Sequence, residues 1–138
     1  MPLTTRTAVL TLSFISALAM LYVGAYQVRA IDHLSCPLVR GQGGGNGCEA
    51  VADAPFARPG GIPDGFIAAA MYALLIVLAL FDPQIAWIRY SLRSVVILAA
   101  IANILGIVDM ANLGAYCFYC LLTTALAPPL VWAVFRLK

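Results

Sequence analysis

Charged side chains are scarce in this chain of 138 residues, which carries eight Lys or Arg and six Asp or Glu. Apolar residues make up 63% of it, whereas a soluble globular domain has about 45–50% apolar and about 25% charged residues. So few polar groups do not cover a water-facing surface, which excludes an ordinary soluble domain and a disordered chain. The basic residues form no patch for phosphates, so nucleic-acid binding is excluded as well. The composition predicts one domain, residues 1–138, in the lipid bilayer.

Four apolar runs have the length and composition of membrane spans, at about residues 8–28, 62–81, 94–110 and 115–135. A helix crosses a hydrocarbon core of roughly 30 Å in about 20 residues. We therefore predict an all-α membrane protein, a four-transmembrane-helix bundle in which residues 29–61 form a long outer loop between helices 1 and 2. A cleaved signal peptide is the alternative for the first run, although this run is longer than a usual signal core.

The distribution of Lys and Arg predicts the orientation of the bundle. Four spans put both termini and the connection between the second and third spans on one side. That side carries Arg6, Arg89, Arg93, Arg136 and Lys138, whereas the opposite side carries Arg29, Arg40 and Arg58. We therefore expect cytoplasmic termini in a plasma membrane and an outer loop on the opposite face. Trp87 and Tyr90 suit an interfacial aromatic belt on the cytoplasmic side.

The four cysteines all fall on the predicted outer face, where disulfides form and persist. Cys36 and Cys48 lie in the loop on either side of the flexible segment GQGGGNG, and Cys117 and Cys120 begin the last span as Cys-Phe-Tyr-Cys. Spacing of i and i+3 places both sulfurs on one helix face. A helix N-terminus favours the thiolate, so this pair is predicted to be redox-active. One mobile and one fixed dithiol on the same face form a relay for thiol–disulfide exchange.

Other interpretations of the cysteines remain open. Cys36 and Cys48 could form a structural disulfide beside two buried thiols, as in an inert subunit of a membrane complex. Four thiolates are also soft metal ligands, which gives a membrane metal-binding or metal-transport protein as the alternative function. The spacing of the loop pair and the oxidising face argue against zinc, so no metal ligand is predicted. The sequence leaves Asp109 open as a proton acceptor near the cysteines or as an interfacial carboxylate.

The terminal electron acceptor is predicted to be a quinone. The chain has no GxGxxG motif for a dinucleotide, and its one histidine, His33, cannot supply a pair of haem ligands. A lipid-soluble two-electron acceptor reaches a CxxC pair at the rim of an apolar bundle by lateral diffusion. Pro128 and Pro129 must disturb the last helix, which either opens room for a quinone ring or is plain helix geometry.

Two segments together resemble the vitamin K epoxide reductase family, specifically its prokaryotic homologues. Residues 48–63, CEAVADAPFARPGGIP, are similar to the family pattern C-x-x-V-x-x-S-P-Y-A-x-x-x-G-I-P, and CFYC matches its CxxC. The resemblance covers about residues 8–138. It implies a thiol:quinone oxidoreductase that drives disulfide formation in exported proteins, with a quinone of the ubiquinone or menaquinone type.

The resemblance also implies a role for each cysteine. Cys120 would react with the quinone, Cys117 would exchange with Cys48, and Cys36 would take electrons from a thioredoxin-like protein on the outer face. No thioredoxin-like domain is present in these residues, so we expect a separate partner. The chain departs from the family at Ala54, where a Ser or Thr is usual. Asp53 is the neighbouring candidate to replace the missing hydroxyl.

Overall fold

The structure is a computed structural model that describes residues 3–33 and 47–137. Within these residues it is all-helical, with no strand. The helices are α1 (Leu3–Gln27), α2 (Gly47–Asp53), α3 (Asp64–Leu80), α4 (Ala86–Leu113) and α5 (Phe118–Arg136). Two single turns of 3-10 helix, Pro55–Ala57 and Pro59–Gly61, connect α2 to α3.

The four longer helices surround a common core. Helix α1 packs against α3 and α5, and α4 packs against the same two helices. Large apolar side chains also cover the outer surface, including Phe14, Leu18, Leu98, Ile104 and Trp132. A soluble protein rarely exposes a continuous apolar surface of this kind, whereas lipid tails accept it.

Three helices are long and apolar enough to cross a membrane: residues 4–27 of α1, all of α4 and all of α5. The fourth, α3, is apolar but has only 17 residues, or about 25 Å at 1.5 Å per residue. The second predicted span therefore stays a prediction. Helix α4 begins at Ala86, well before residue 94, so Arg89 and Arg93, which interrupt the apolar run, lie within the helix. The Arg93 guanidinium, for example, lies 5.2 Å from the centre of the Phe135 ring.

One end of the bundle carries a concentration of arginine contacts. Arg6 Nε donates to the Ala79 carbonyl oxygen at 2.8 Å, and its Nη2 donates to that of Leu80. The last carbonyls of a helix lack intrahelical partners and attract a cation, so Arg6 joins α1 to the C-terminus of α3. At the same end, the Arg136 guanidinium lies 4.8 Å from the centre of the Trp132 ring.

Close contact between α1 and α3 requires glycine at position 65. A Cβ there would lie 2.6 Å from Gly24 N and 2.8 Å from Met20 O, which are backbone atoms that cannot move aside. We expect Gly65→Ala to lower the free energy of unfolding by about 1–3 kcal/mol through overpacking. Thermal unfolding in detergent measures the change.

Gly106→Ala is the matched control, because a Cβ at this helical position meets nothing within 4 Å. It should leave stability unchanged or raise it by about 0.5–1 kcal/mol, through the higher helix propensity of alanine. Equal unfolding temperatures for the two variants would show that the helices are not in close contact at Gly65.

Candidate active site

The CxxC pair lies at the N-terminus of α5. Cys117 is the N-cap residue, with extended backbone angles (φ −100°, ψ 123°), and Cys120 is in the first turn. Both are free thiols; Cys117 is fully buried and Cys120 is partly buried. The backbone N–H of Cys117 donates to Met110 Sδ at 3.4 Å, which joins the pair to the end of α4.

The thiol of Cys117, which precedes the first residue of α5, is in an environment that favours its charged form. A hydrogen bond from the Cys120 side chain lowers the pKa of Cys117, and the backbone N–H groups of Tyr119 and Cys120 act in the same direction against the opposing effect of burial. These N–H groups have no intrahelical acceptor at a helix start, so they are available to a thiolate. Cys117 is therefore suited to thiol–disulfide exchange.

The loop sulfur of Cys48 lies at the same helix start. Cys48 is on α2, is fully buried, and is disulfide-bonded. Its Sγ accepts a hydrogen bond from the backbone N–H of Phe118 at 3.3 Å. Since Phe118 follows Cys117 directly, three of the four predicted site cysteines meet at one end of α5. The fourth, Cys36, lies outside the described residues.

A cavity of about 320 Å³, which Cys120 lines, lies between α1, α2, α3, α4, α5 and the α2–α3 segment. This volume is at the lower end of the range of about 300–1,000 Å³ that is usual for small-molecule sites. Its walls are mostly apolar, and its polar lining residues are Asp64, Tyr72, Asn103, Asp109, Thr123 and Thr124. Asp109 thus shares the cavity with Cys120. Neither Pro128 nor Pro129 is among the lining residues, so the two prolines do not form the cavity wall.

A hydrogen-bonded cluster around Asn103 lies in the cavity wall. Asn103 Nδ2 donates to the Tyr72 hydroxyl at 3.1 Å and to the Ala99 carbonyl at 2.8 Å. Its Oδ1 lies 3.1 Å from the hydroxyls of both Thr123 and Thr124. Each of these hydroxyls also lies within 3.0 Å of the Cys120 carbonyl oxygen. The cluster therefore connects α3 and α4 to the turn that carries Cys120.

Gln27 holds the α2–α3 segment against the bundle. Its buried Nε2 donates to the carbonyls of Ala52 and Ala57, each at 3.2 Å, and to Asp64 Oδ1 at 2.9 Å. Its Oε1 accepts from the backbone N–H of Gly65 at 3.1 Å. One side chain at the end of α1 thus joins the segment that follows Cys48 to the start of α3.

Ala54 is the position at which the family usually has a Ser or Thr, and Asp53 is the polar residue next to it. Ala54 is buried, and Asp53 Oδ2 accepts a hydrogen bond from the Tyr26 hydroxyl at 2.9 Å. Asp53 is not among the residues that line the cavity. Its carboxylate therefore fastens α2 to α1 and does not enter the cavity.

The placement of His33 and of the other possible metal ligands bears on the metal-binding alternative. His33 is highly exposed, and its Nδ1 lies 3.3 Å from Glu49 Oε1 on the surface of α2. Over residues 3–33 and 47–137, no group of three or more His, Cys, Asp or Glu side chains is placed to hold a metal ion.

The sequence predicted the cysteines as site residues but gave no prediction for Gln27, Tyr72, Thr123 or Thr124. Asn103 was visible in the sequence only as a polar interruption of the third apolar run. Polar residues inside membrane spans are costly and often functional, and that signal was available. Tyr72 gave no such signal, because a tyrosine in an apolar helix is an ordinary packing residue.

Comparison with known protein families identifies the family of this chain. The sequence profile of the Vitamin K epoxide reductase family matches residues 7–135. No curated protein and no solved structure matches the chain significantly. The profile covers most of α1, all of α3 and α4, all but the last residue of α5, the CxxC pair and the Cys48 segment, and the chain belongs to the vitamin K epoxide reductase family.

Proposed function

We propose that the protein is a thiol:quinone oxidoreductase that drives disulfide formation in exported proteins. Electrons pass from a thioredoxin-like thiol protein to Cys36 and Cys48, then to Cys117 and Cys120, and then to a membrane quinone. Family membership supports an oxidoreductase of the quinone-linked disulfide type. The electron path through the four cysteines goes beyond what family membership implies and is our proposal.

The observation that carries the proposal is that the first turn of α5 has two neighbours, the loop sulfur of Cys48 and the apolar cavity beside Cys120. Cys48 Sγ lies 3.3 Å from the Phe118 nitrogen, and Cys120 lines a cavity with mostly apolar walls. Thiol–disulfide exchange requires a thiolate to reach a disulfide sulfur, and quinone reduction requires a thiol beside an apolar pocket. The loop sulfur and the cavity at the start of α5 support both steps.

The net reaction balances within these groups. Two thiols, Cys117 and Cys120, lose two electrons and two protons and form one disulfide. The quinone supplies a two-electron acceptor when it is bound, and its two oxygens take up the two protons. A disulfide between Cys36 and Cys48 is then formed when Cys48 passes the next electron pair to Cys117, and the thiol protein reduces it again.

The proposed membrane arrangement has four spans, with the cysteines on the outer face and both termini in the cytoplasm. Its support is the distribution of charge in the fold. Arg6, Arg93 and Arg136 make their contacts at one end of the bundle, and Cys48 meets the start of α5 at the other. Basic residues favour the cytoplasmic side, which leaves the sulfurs on the oxidising side.

The experiment that tests this function compares two electron donors. In detergent-purified protein, Cys36→Ala should abolish quinone reduction driven by a reduced thioredoxin-like protein. A small dithiol should still support turnover, because it reduces a Cys117–Cys120 disulfide directly. Quinone absorbance follows both reactions, and the parent protein should use both donors.

Two results would overturn the proposal. Equal turnover by the parent and the Cys36→Ala variant with the protein donor would remove Cys36 from the path. No turnover by the parent with several quinones, together with about one bound metal ion per chain, would favour a membrane metal-binding protein.

A further inference from the structure

We propose that the Tyr72 hydroxyl donates a hydrogen bond to a carbonyl oxygen of the quinone, and that Asn103 positions this hydroxyl. The inference rests on the proposed function and adds to it the group that receives the developing charge. Tyr72 is on α3 and Asn103 is on α4, and both line the cavity that Cys120 faces.

The orientation of the Asn103 amide follows from its contacts. The atom nearest the Ala99 carbonyl, at 2.8 Å, must be a donor, because two oxygens at that distance would repel each other. The amide nitrogen therefore faces Ala99, and its second hydrogen points to the Tyr72 oxygen at 3.1 Å. The amide oxygen is left to face the hydroxyls of Thr123 and Thr124. All four hydrogen-bonding positions of the Asn103 amide are then in use.

This orientation makes the Tyr72 oxygen an acceptor, so the hydroxyl proton must point elsewhere. Thr123 also lies near the Tyr72 hydroxyl, but the hydrogen bonds that its hydroxyl makes are to Asn103 Oδ1 and to the Cys120 carbonyl. Ser16 is the other neighbouring hydroxyl, and its Oγ has no partner within hydrogen-bonding geometry. The Tyr72 side chain is only 3% exposed. Tyr72 lines the cavity, so an acceptor bound there is a partner for a buried proton that otherwise has only these two neighbouring hydroxyls.

A quinone carbonyl supplies that acceptor. When two electrons move from Cys117 and Cys120, negative charge develops on the quinone oxygens. A fixed donor in an apolar site stabilises such charge more than water does, because it needs no reorganisation. The two thiols supply the two protons of the hydroquinone, and Tyr72 keeps its own. The tyrosine thus acts as a hydrogen-bond donor without changing the proton balance.

Tyr72→Phe tests the donor, since it removes only the oxygen. With a small dithiol and a short-tailed 1,4-naphthoquinone, we expect kcat to fall by about 10²-fold, the scale on which removal of one oxyanion donor acts. Tyr90→Phe is the matched control, because Tyr90 is 65% exposed and is not among the residues that line the cavity; it should keep the parental rate. Thermal unfolding of both variants verifies that the fold is retained.

Asn103 acts through Tyr72, and a double variant distinguishes this role from a structural one. Asn103→Leu should lower kcat, and adding it to Tyr72→Phe should lower kcat no further, because a positioning role of Asn103 acts only through the Tyr72 hydroxyl that the first change has already removed. A purely structural role for Asn103 would lower kcat again in the double variant and would overturn the positioning role.

The result for Tyr72 separates the inference from the proposed function. Parental turnover in a folded Tyr72→Phe variant would overturn the inference and leave the thiol:quinone function intact. Absence of turnover in the parent protein would overturn both. A lower kcat in Tyr72→Phe with parental turnover in Tyr90→Phe would support both.

Discussion

Replacing Cys120 by alanine should reduce quinone turnover by about 10³-fold or more, the scale on which loss of a catalytic nucleophile acts. The reason is geometric, because Cys120 is the cysteine that lines the cavity, whereas Cys117 is fully buried at the N-cap of α5. The measurement is the decrease in quinone absorbance with a small dithiol as donor. This donor bypasses the loop, so the result depends on the CxxC pair and the cavity alone.

A positive signal should accompany this loss. In the Cys120→Ala variant, the Cys117 thiolate still attacks Cys48 in the proposed Cys36–Cys48 disulfide and releases the Cys36 thiolate, but without Cys120 no Cys117–Cys120 disulfide forms and only reversal by Cys36 removes the product. A mixed disulfide between Cys117 and Cys48 should therefore accumulate and be detectable by peptide mapping. It would show that the variant is folded and that the two sulfurs meet. Retained quinone turnover in this variant would exclude Cys120 as the group that delivers electrons.

Replacing Gln27 by leucine should have the largest effect on stability. Three acceptors, the carbonyls of Ala52 and Ala57 and a carboxylate oxygen of Asp64, share the two hydrogens of Gln27 Nε2. Leucine has a similar volume but leaves these buried groups and the N–H of Gly65 without their partner. Unsatisfied buried polar groups cost about 1–3 kcal/mol each when no water reaches them. We expect a loss of roughly 3 kcal/mol in the free energy of unfolding, measured by thermal or denaturant unfolding.

The Gln27→Leu variant should also lower turnover to a different extent with each of the two electron donors. Gln27 holds the segment after Cys48 in place, so its loss should slow electron transfer from the loop to Cys117. Turnover with a reduced thioredoxin-like protein should decrease more than turnover with a small dithiol. Gln84→Leu makes the same substitution at an exposed position in the turn between α3 and α4 and should change neither quantity. Equal stability of the two leucine variants would show that the Gln27 contacts contribute nothing.

The sequence predicted those parts of the molecule that depend on local pattern. Long uncharged runs predict helices, and the i, i+3 spacing of Cys117 and Cys120 predicts one shared helix face. The start of α4 at Ala86 was less predictable, since Arg89 and Arg93 interrupt the apolar run. A helix tolerates such side chains at its end when they find partners such as the Phe135 ring.

The remaining parts depend on contacts between segments that are distant in the chain. Gln27 and Ala57 are 30 positions apart, and Tyr72 and Asn103 are 31 apart. No local pattern relates such residues, because packing of α1, α3 and α4 determines which polar groups meet. The sequence therefore pointed to the cysteines as candidates, whereas the residues that surround Cys48, Cys117 and Cys120 in the fold were not predictable from it.

The oxidation states of the cysteines have a kinetic consequence. Cys48 is disulfide-bonded while Cys117 and Cys120 are free thiols. In the proposed function this is the form in which the CxxC pair holds two electrons, and it needs no donor at the moment when it reduces a quinone. The proposed donor and acceptor would then react at different times, with the protein alternating between two forms. In steady-state terms this is a ping-pong cycle, in which lines of reciprocal rate at different quinone concentrations run parallel.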